Sequence, residues 1–123
     1  MVAVLPSLLS DQPPEVPLKA GCGDRFHYFR GLSGRRYLFS AIDIDDLANF
    51  RSVVVAVARR AAGGRLAAEW MGILDSLGRP IGERRVPVSA PDSLVLVHCL
   101  TISEAGRFDV VADLSSPPLS EAA

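Results

Sequence analysis

The 123-residue sequence contains two cysteines, two histidines and, at Lys19, a single lysine. Two cysteines are too few to define a disulfide framework. Two histidines offer few ligands for a metal centre or a catalytic set. Thirteen residues are Lys or Arg, and all but Lys19 are arginine. Because this bias is typical of high-GC genomes, we expect a bacterial protein.

The chain also lacks a strong net charge and a long apolar segment. Its formal net charge is −1 and its sequence pI is about 6.1, so no overall field attracts it to nucleic acid or anionic membranes. The longest apolar run, Val53–Ala58, is far shorter than the ~20 residues of a membrane span. The N-terminus has no basic region and is interrupted by Pro6, which is a poor signal-peptide pattern. We therefore expect a soluble, cytoplasmic protein that does not contact membranes.

The positions of the prolines and the composition predict that the chain has three parts. Prolines recur through the first seventeen residues, where they preclude a helix and remove strand donors, so residues 1–21 are predicted to be a flexible proline-rich arm. Residues 22–114 are predicted to form a single domain, since 49% hydrophobic and 22% charged residues are typical of a folded protein. Residues 115–123 are predicted to be a disordered tail.

Most of the central segment is predicted to form strands. Aromatic and β-branched residues favour strands at 26–30 and 36–42, and the short Gly-containing loop between them indicates a β-hairpin. Three consecutive valines favour a strand from residue 52, although a helix over 52–62 also fits the spacing. A turn at 61–64 then leads to a strand containing Trp70. Residues 93–101 are predicted to form a further buried strand.

Two short helices complete the predicted fold. Asp43 is expected to cap one or two helical turns over about 44–50, and Ser103 to cap a helix over 103–114. The apolar side chains expected on one face of the second helix are Ala105, Phe108, Val111 and Ala112. A strand competes in the same segment, with Phe108, Val110, Ala112 and Leu114 alternating. The predicted class is α+β, a mostly antiparallel sheet of about five strands with one or two short helices on one face.

The candidate binding site is the hairpin 26–42, which contains five of the eight aromatic residues and three arginines. On an exposed sheet face, these rings and guanidiniums would form a stacking platform with phosphate clamps, as in proteins that bind single-stranded nucleic acid. The predicted binding residues are Tyr28, Arg30, Ser33, Arg35, Arg36 and Tyr37, with Phe26 and Phe39 as further rings. The sequence favours the alternative interpretation, in which the rings form core and the arginines solubilise an edge.

The hairpin loop shows two partial motif matches. Gly31-Leu32-Ser33-Gly34 fits the GxxG pattern with which KH domains clamp a nucleic-acid backbone, but strand-like segments flank it instead of helices. Arg30-Gly31 begins like the RNP1 motif, whereas Leu32 and Gly34 stand where stacking aromatics belong. Neither family is therefore assigned.

Metal and catalytic chemistry have little support. Cys22, His27, His98 and Cys99 could supply zinc ligands, but the adjacent His98 and Cys99 would face opposite sides of a strand. We predict no metal and no cofactor. Cys99 is interpreted as a small buried hydrophobic residue, and His98 as a satisfied or half-exposed polar residue. No hydrolase elbow, zinc-protease motif, P-loop or dinucleotide fingerprint occurs.

Three functional hypotheses follow. The leading one is a small non-catalytic binding or regulatory module that acts through an unidentified protein partner. It includes a homodimer formed through a sheet face or edge, because Val53–Ala58 and Leu94–Val97 carry much apolar surface for a thin domain. The first alternative is binding of RNA or single-stranded nucleic acid through the hairpin 26–42. The second alternative is a small enzyme that uses His98.

Overall fold

A computed structural model describes residues 3–4, 8–10, 26–82, 86–87 and 92–115 of the chain. The strands are β1 (Ala3–Val4), β2 (Phe26–Arg30), β3 (Arg36–Ile42), β4 (Val53–Arg60), β5 (Leu66–Leu74) and β6 (Leu94–His98). The helices are α1 (Glu104–Ser115) and two short 3-10 helices, Ile44–Asn49 and Ala62–Gly64. The predicted α+β class is confirmed.

The strands form one antiparallel sheet in the order β1-β5-β4-β6-β3-β2. Since β3 and β4 each pair antiparallel with β6, they are parallel to one another. The connection between them therefore crosses a face of the sheet, where its residues Leu47 and Phe50 pack on the apolar side chains of β4, β5 and β6. This connection contains the 3-10 helix Ile44–Asn49, but the Asp43 side chain makes no capping hydrogen bond, so the predicted cap is wrong.

The central strand β4 is buried on both faces. Its two sets of alternating side chains are Val54, Ala56 and Ala58 on one face and Val53, Val55 and Val57 on the other. The first set packs against α1 and the hairpin strands, and the second packs against Trp70 and β6. A strand with both faces covered needs an apolar run with no polar face. The strand prediction for this segment is confirmed, and the helix alternative over 52–62 is wrong.

A short N-terminal segment closes the curled sheet on itself. β1 pairs with the outer edge of β5, and Leu9 bridges to Ala67 of the same strand. Ser10 then bridges to Phe29 of β2, the strand at the other end of the order. The Ser10 amide donates to the Leu66 carbonyl (2.7 Å), and the Ser10 Oγ accepts from the Leu66 amide (2.6 Å). The segment therefore joins the two edges that an open sheet would leave unpaired.

Helix α1 begins as the sequence predicts. The Ser103 Oγ accepts a hydrogen bond from the Gly106 amide (3.0 Å), which satisfies one of the amides that a first helical turn leaves open. The Arg107 side chain is buried, and its Nη1 donates to the carbonyl of Ile102 (2.7 Å). The start of the helix is thus tied to the loop that follows β6.

The buried face of α1 differs from the predicted one. It consists of Arg107, Val110, Val111 and Leu114. Ala105 and Ala112, which were expected on this face, are exposed. The buried residues follow the spacing i, i+3, i+4, i+7 from Arg107 to Leu114. This face is buried in preference to the alanine-containing one because valine and leucine bury more apolar area than alanine.

Part of the predicted arm belongs to the sheet. Leu8–Ser10 lies against β5 and β2, whereas residues 11–21 and 116–123 are outside the described residues. The division into arm, domain and tail therefore stays a prediction. None of the helices in the described ranges is long and apolar enough to cross a membrane.

Candidate functional site

The register of the hairpin assigns each of its side chains to one of two faces. Phe26, Tyr28 and Arg30 of β2 lie opposite Ser40, Leu38 and Arg36 of β3, respectively. The side chains between them, His27 and Phe29 with Tyr37 and Phe39, point to the other face. Of the predicted binding residues, the register therefore places Tyr28, Arg30 and Arg36 on one face and Tyr37 on the other.

The inner face of the hairpin is core. Phe29 and Phe39 are fully buried, with ring centroids 5.4 Å apart in an edge-to-face arrangement. Tyr37 lies on the same side and is half-buried. Two of the four rings proposed for an exposed platform, Tyr37 and Phe39, thus face inward, and the core interpretation is correct for Phe39.

The outer face keeps two aromatic rings accessible. Phe26 is 47% exposed and Tyr28 is 39% exposed. The Arg36 guanidinium lies 4.2 Å from the centroid of the Tyr28 ring, a cation–π contact that orients both side chains. Arg30 is the cross-strand neighbour of Arg36, and both arginines have further partners within the chain. We call Phe26, Tyr28, Arg30, Arg36 and the exposed loop residue Leu32 the hairpin surface.

The loop between β2 and β3 is fastened to α1 by one carboxylate. Asp113 accepts hydrogen bonds from the Ser33 amide (2.8 Å), the Ser33 Oγ (2.6 Å) and the Tyr37 hydroxyl (2.7 Å). The Leu32 amide also donates to the Asp113 backbone carbonyl (3.1 Å). Ser33 and Tyr37, both predicted to bind a ligand, therefore make their polar contacts within the protein.

Gly31 makes this close approach feasible. A Cβ at position 31 would overlap an Asp113 carboxylate oxygen, so a larger residue there would displace the carboxylate. The glycine of the GxxG pattern thus admits a protein carboxylate, whereas the KH resemblance would assign that space to a phosphate.

Asp113 was not identified from the sequence. A usable signal exists, because a carboxylate near the C-terminus of a helix is unfavourable with the helix dipole. Asp113 is the third residue from the C-terminal end of α1. An acidic residue there therefore indicates a tertiary partner, although the sequence does not say which one.

The electrostatics of Asp113 favour its ionised form. Burial raises its pKa, but the two hydrogen bonds from Ser33, the one from Tyr37 and the charge of Arg35 outweigh this and leave the pKa below the ordinary value. Burial, the hydrogen bond to Asp113 and the charge of Asp113 raise the pKa of Tyr37. An ionised carboxylate with three donors is a weak base, so this geometry does not activate the Ser33 hydroxyl as a nucleophile.

This arrangement predicts how stability depends on acid pH. Because the pKa of Asp113 is lower in the folded than in the unfolded chain, its contribution is present above the ordinary pKa of 3.8 and is lost as pH falls through the folded pKa. The difference in unfolding free energy between wild type and Asp113→Asn should therefore shrink between about pH 6 and about pH 3. Urea unfolding across this range measures it. A difference that stays constant would contradict the assignment.

His98 is enclosed by protein groups. Its ring is 3% exposed, its Nδ1 is 2.8 Å from the Leu38 carbonyl oxygen and its Nε2 is 2.7 Å from the Thr101 Oγ1. Since a carbonyl only accepts, Nδ1 carries a proton. The rings of Tyr37 and Phe39 lie against the imidazole, with centroids 5.9 and 5.4 Å away. Both nitrogens are engaged internally, as expected for a satisfied polar residue.

Cys99 differs from the prediction. Its side chain is exposed and its thiol is free, so the interpretation as a buried hydrophobic residue is wrong. Cys99 directly follows β6, which ends at His98, so it lies outside the strand whose two faces are buried. Cys22, the other predicted ligand, is outside the described residues. Within the described part of the chain, no three His, Cys, Asp or Glu side chains are grouped to hold a metal ion.

Comparison of the chain with protein-family models, with curated proteins and with solved structures finds no match.

Proposed function

We propose that the chain is a non-catalytic protein-binding module that contacts its partner through the hairpin surface. The observation that supports this is the position of Phe26 and Tyr28. Both rings stay accessible, beside a stacked guanidinium, on a hairpin whose opposite face is packed core. Aromatic residues and arginine are the types enriched in the centres of protein interfaces and among their dominant binding residues.

Contacts within the chain hold the hairpin surface in place. Asp113 fastens the loop on one side, and the Phe29–Phe39 contact anchors the strands from beneath. The Arg36 contact restricts the Tyr28 ring. Groups that are already ordered lose less entropy on binding, which raises affinity for a given area. The partner that fits this surface offers apolar side chains that pack against the two accessible rings.

A protein partner fits these groups better than nucleic acid does. Stacking on successive bases needs a row of exposed rings, whereas Tyr37 and Phe39 face inward. Arg30 and Arg36 have partners within the chain, and Arg35 lies close enough to Asp113 to lower the pKa of that carboxyl. The chain as a whole is slightly acidic. These observations favour a protein partner over nucleic acid.

The test is affinity capture of the tagged full chain from the cells that naturally express it, after nuclease treatment. Wild type is compared with Tyr28→Ala/Arg36→Ala, which removes the ring and its cation. The matched control is Leu77→Ala/Ile102→Ala, which removes two other exposed apolar side chains. We expect a roughly equimolar protein partner with wild type and control, and at least about tenfold less with the hairpin variant.

Two results would contradict the proposal. Equal recovery of the partner with all three proteins would show that the hairpin surface is not the contact site. Binding of single-stranded RNA that weakens steeply with salt, and that Arg35→Glu/Arg36→Glu abolishes, would establish the nucleic-acid alternative instead.

A further inference from the structure

The N-terminal segment that closes the sheet occupies a strand-shaped slot. We call this the closing slot, the gap between Leu66–Ala68 of β5 and Phe29 of β2. The segment is held there mainly by backbone groups, since the Ala68 amide donates to the Leu8 carbonyl (2.9 Å) and the Ser10 amide donates to the Leu66 carbonyl (2.7 Å). The Arg65 Nε also donates to the Ser10 carbonyl (2.9 Å).

The closing slot accommodates one particular side chain, that of Ser10. Its side chain is fully buried, and its Oγ accepts from the Leu66 amide (2.6 Å). Leu8 packs on the core from the same segment. An extended chain with a serine at this position is therefore recognised by main-chain pairing together with two specific side chains, which is how strand addition works in other proteins.

The same contacts are available to a second copy of the chain. Residues 11–25, fifteen in number, connect Ser10 to β2. When extended, a chain of that length reaches about 50 Å, more than the ~30 Å diameter of a small domain. A connection of this length permits the segment to enter the slot of a neighbouring molecule.

We propose that two copies of the chain exchange their N-terminal segments, each placing Leu8–Ser10 in the closing slot of the other. Every contact of the closed sheet is kept, and only the molecule that supplies the segment changes. Exchange of an identical element is a low-cost route to a two-fold symmetric dimer. The occupant is a second copy because its segment has the sequence that the slot already accommodates. This inference does not use the hairpin surface, so either proposal can fail without the other.

Disulfide trapping of the full chain tests the exchange. Leu9 and Ala67 form a bridge across the slot, so cysteines at these positions lie within disulfide range. Leu9→Cys/Ala67→Cys is made with Cys22→Ser and Cys99→Ser and is oxidised at high concentration. We expect a covalent dimer of twice the 13.1 kDa chain mass on a non-reducing denaturing gel. A product that is entirely monomeric would overturn the exchange, whether it is oxidised or still reduced.

The control pair is Tyr28→Cys/Leu38→Cys in the same background. These residues are direct neighbours across a hairpin, so their disulfide should form within one chain. Covalent dimers of this control at equal yield would indicate random oxidation and would also overturn the proposal. If the slot variant does not fold, wild type is measured by native mass spectrometry instead. Dimers are expected, and monomers alone would refute the exchange.

Discussion

Replacing Phe39 with alanine is expected to lower the free energy of unfolding by about 3–5 kcal/mol, the usual cost of removing a fully buried phenylalanine ring. The loss combines the transfer energy of the ring with the cavity left beside Phe29 and His98, both of which contact it. Urea unfolding followed by circular dichroism measures the change. Phe39→Leu provides a milder variant that should cost about 1 kcal/mol, in case the alanine variant does not fold.

The matched control for Phe39 is Phe26→Ala in the same hairpin. Phe26 lies on the outer face and is half exposed, so its loss should cost less than about 1 kcal/mol. The contrast tests the division of the hairpin into a core face and a surface for binding. Equal destabilisation by the two substitutions would contradict the register and, with it, the hairpin surface.

Replacing Asp113 with alanine is expected to lower the free energy of unfolding by about 1–3 kcal/mol. The substitution leaves the Ser33 amide, the Ser33 hydroxyl and the Tyr37 hydroxyl without their shared acceptor. It should also increase amide hydrogen exchange in the loop 31–35, because the loop loses its fastening to α1. Denaturant unfolding measures the first effect, and exchange followed by mass spectrometry measures the second.

Asp109→Ala is the control for Asp113, since Asp109 is an exposed aspartate of the same helix. It should change stability by less than about 0.5 kcal/mol. Gly31→Ala approaches the same contact from the loop and should resemble Asp113→Ala, because the added methyl would occupy the space of the carboxylate. A Gly31→Ala protein as stable as wild type would show that the carboxylate is not held against the loop.

Local sequence patterns predicted much of the secondary structure. The hairpin, the strand at β4, the strand that contains Trp70 and the helix begun by Ser103 all occur as expected. Strand and helix propensities, glycines and caps act within a few residues, so they can be read from neighbouring positions.

Contacts between distant positions were not predictable in the same way. The Asp113 contact joins residues 76 to 80 positions apart, and the closing contact of Ser10 joins residues 55 and 56 positions apart. No periodicity connects such positions. The buried face of α1 differs from the predicted face for the same reason. The sheet that the helix packs against determines which of its side chains are covered.

By itself, the sequence determined the α+β class, the antiparallel strands and the crowding of rings and arginines into one hairpin. Only the tertiary structure decided which rings are accessible, because that depends on which face of the hairpin the helix and the central strand cover. It also decided that Ser33 and Tyr37 bind Asp113 and that residues near the N-terminus close the sheet. Propensity is a property of neighbouring residues, whereas exposure and long-range pairing are properties of the whole packed chain.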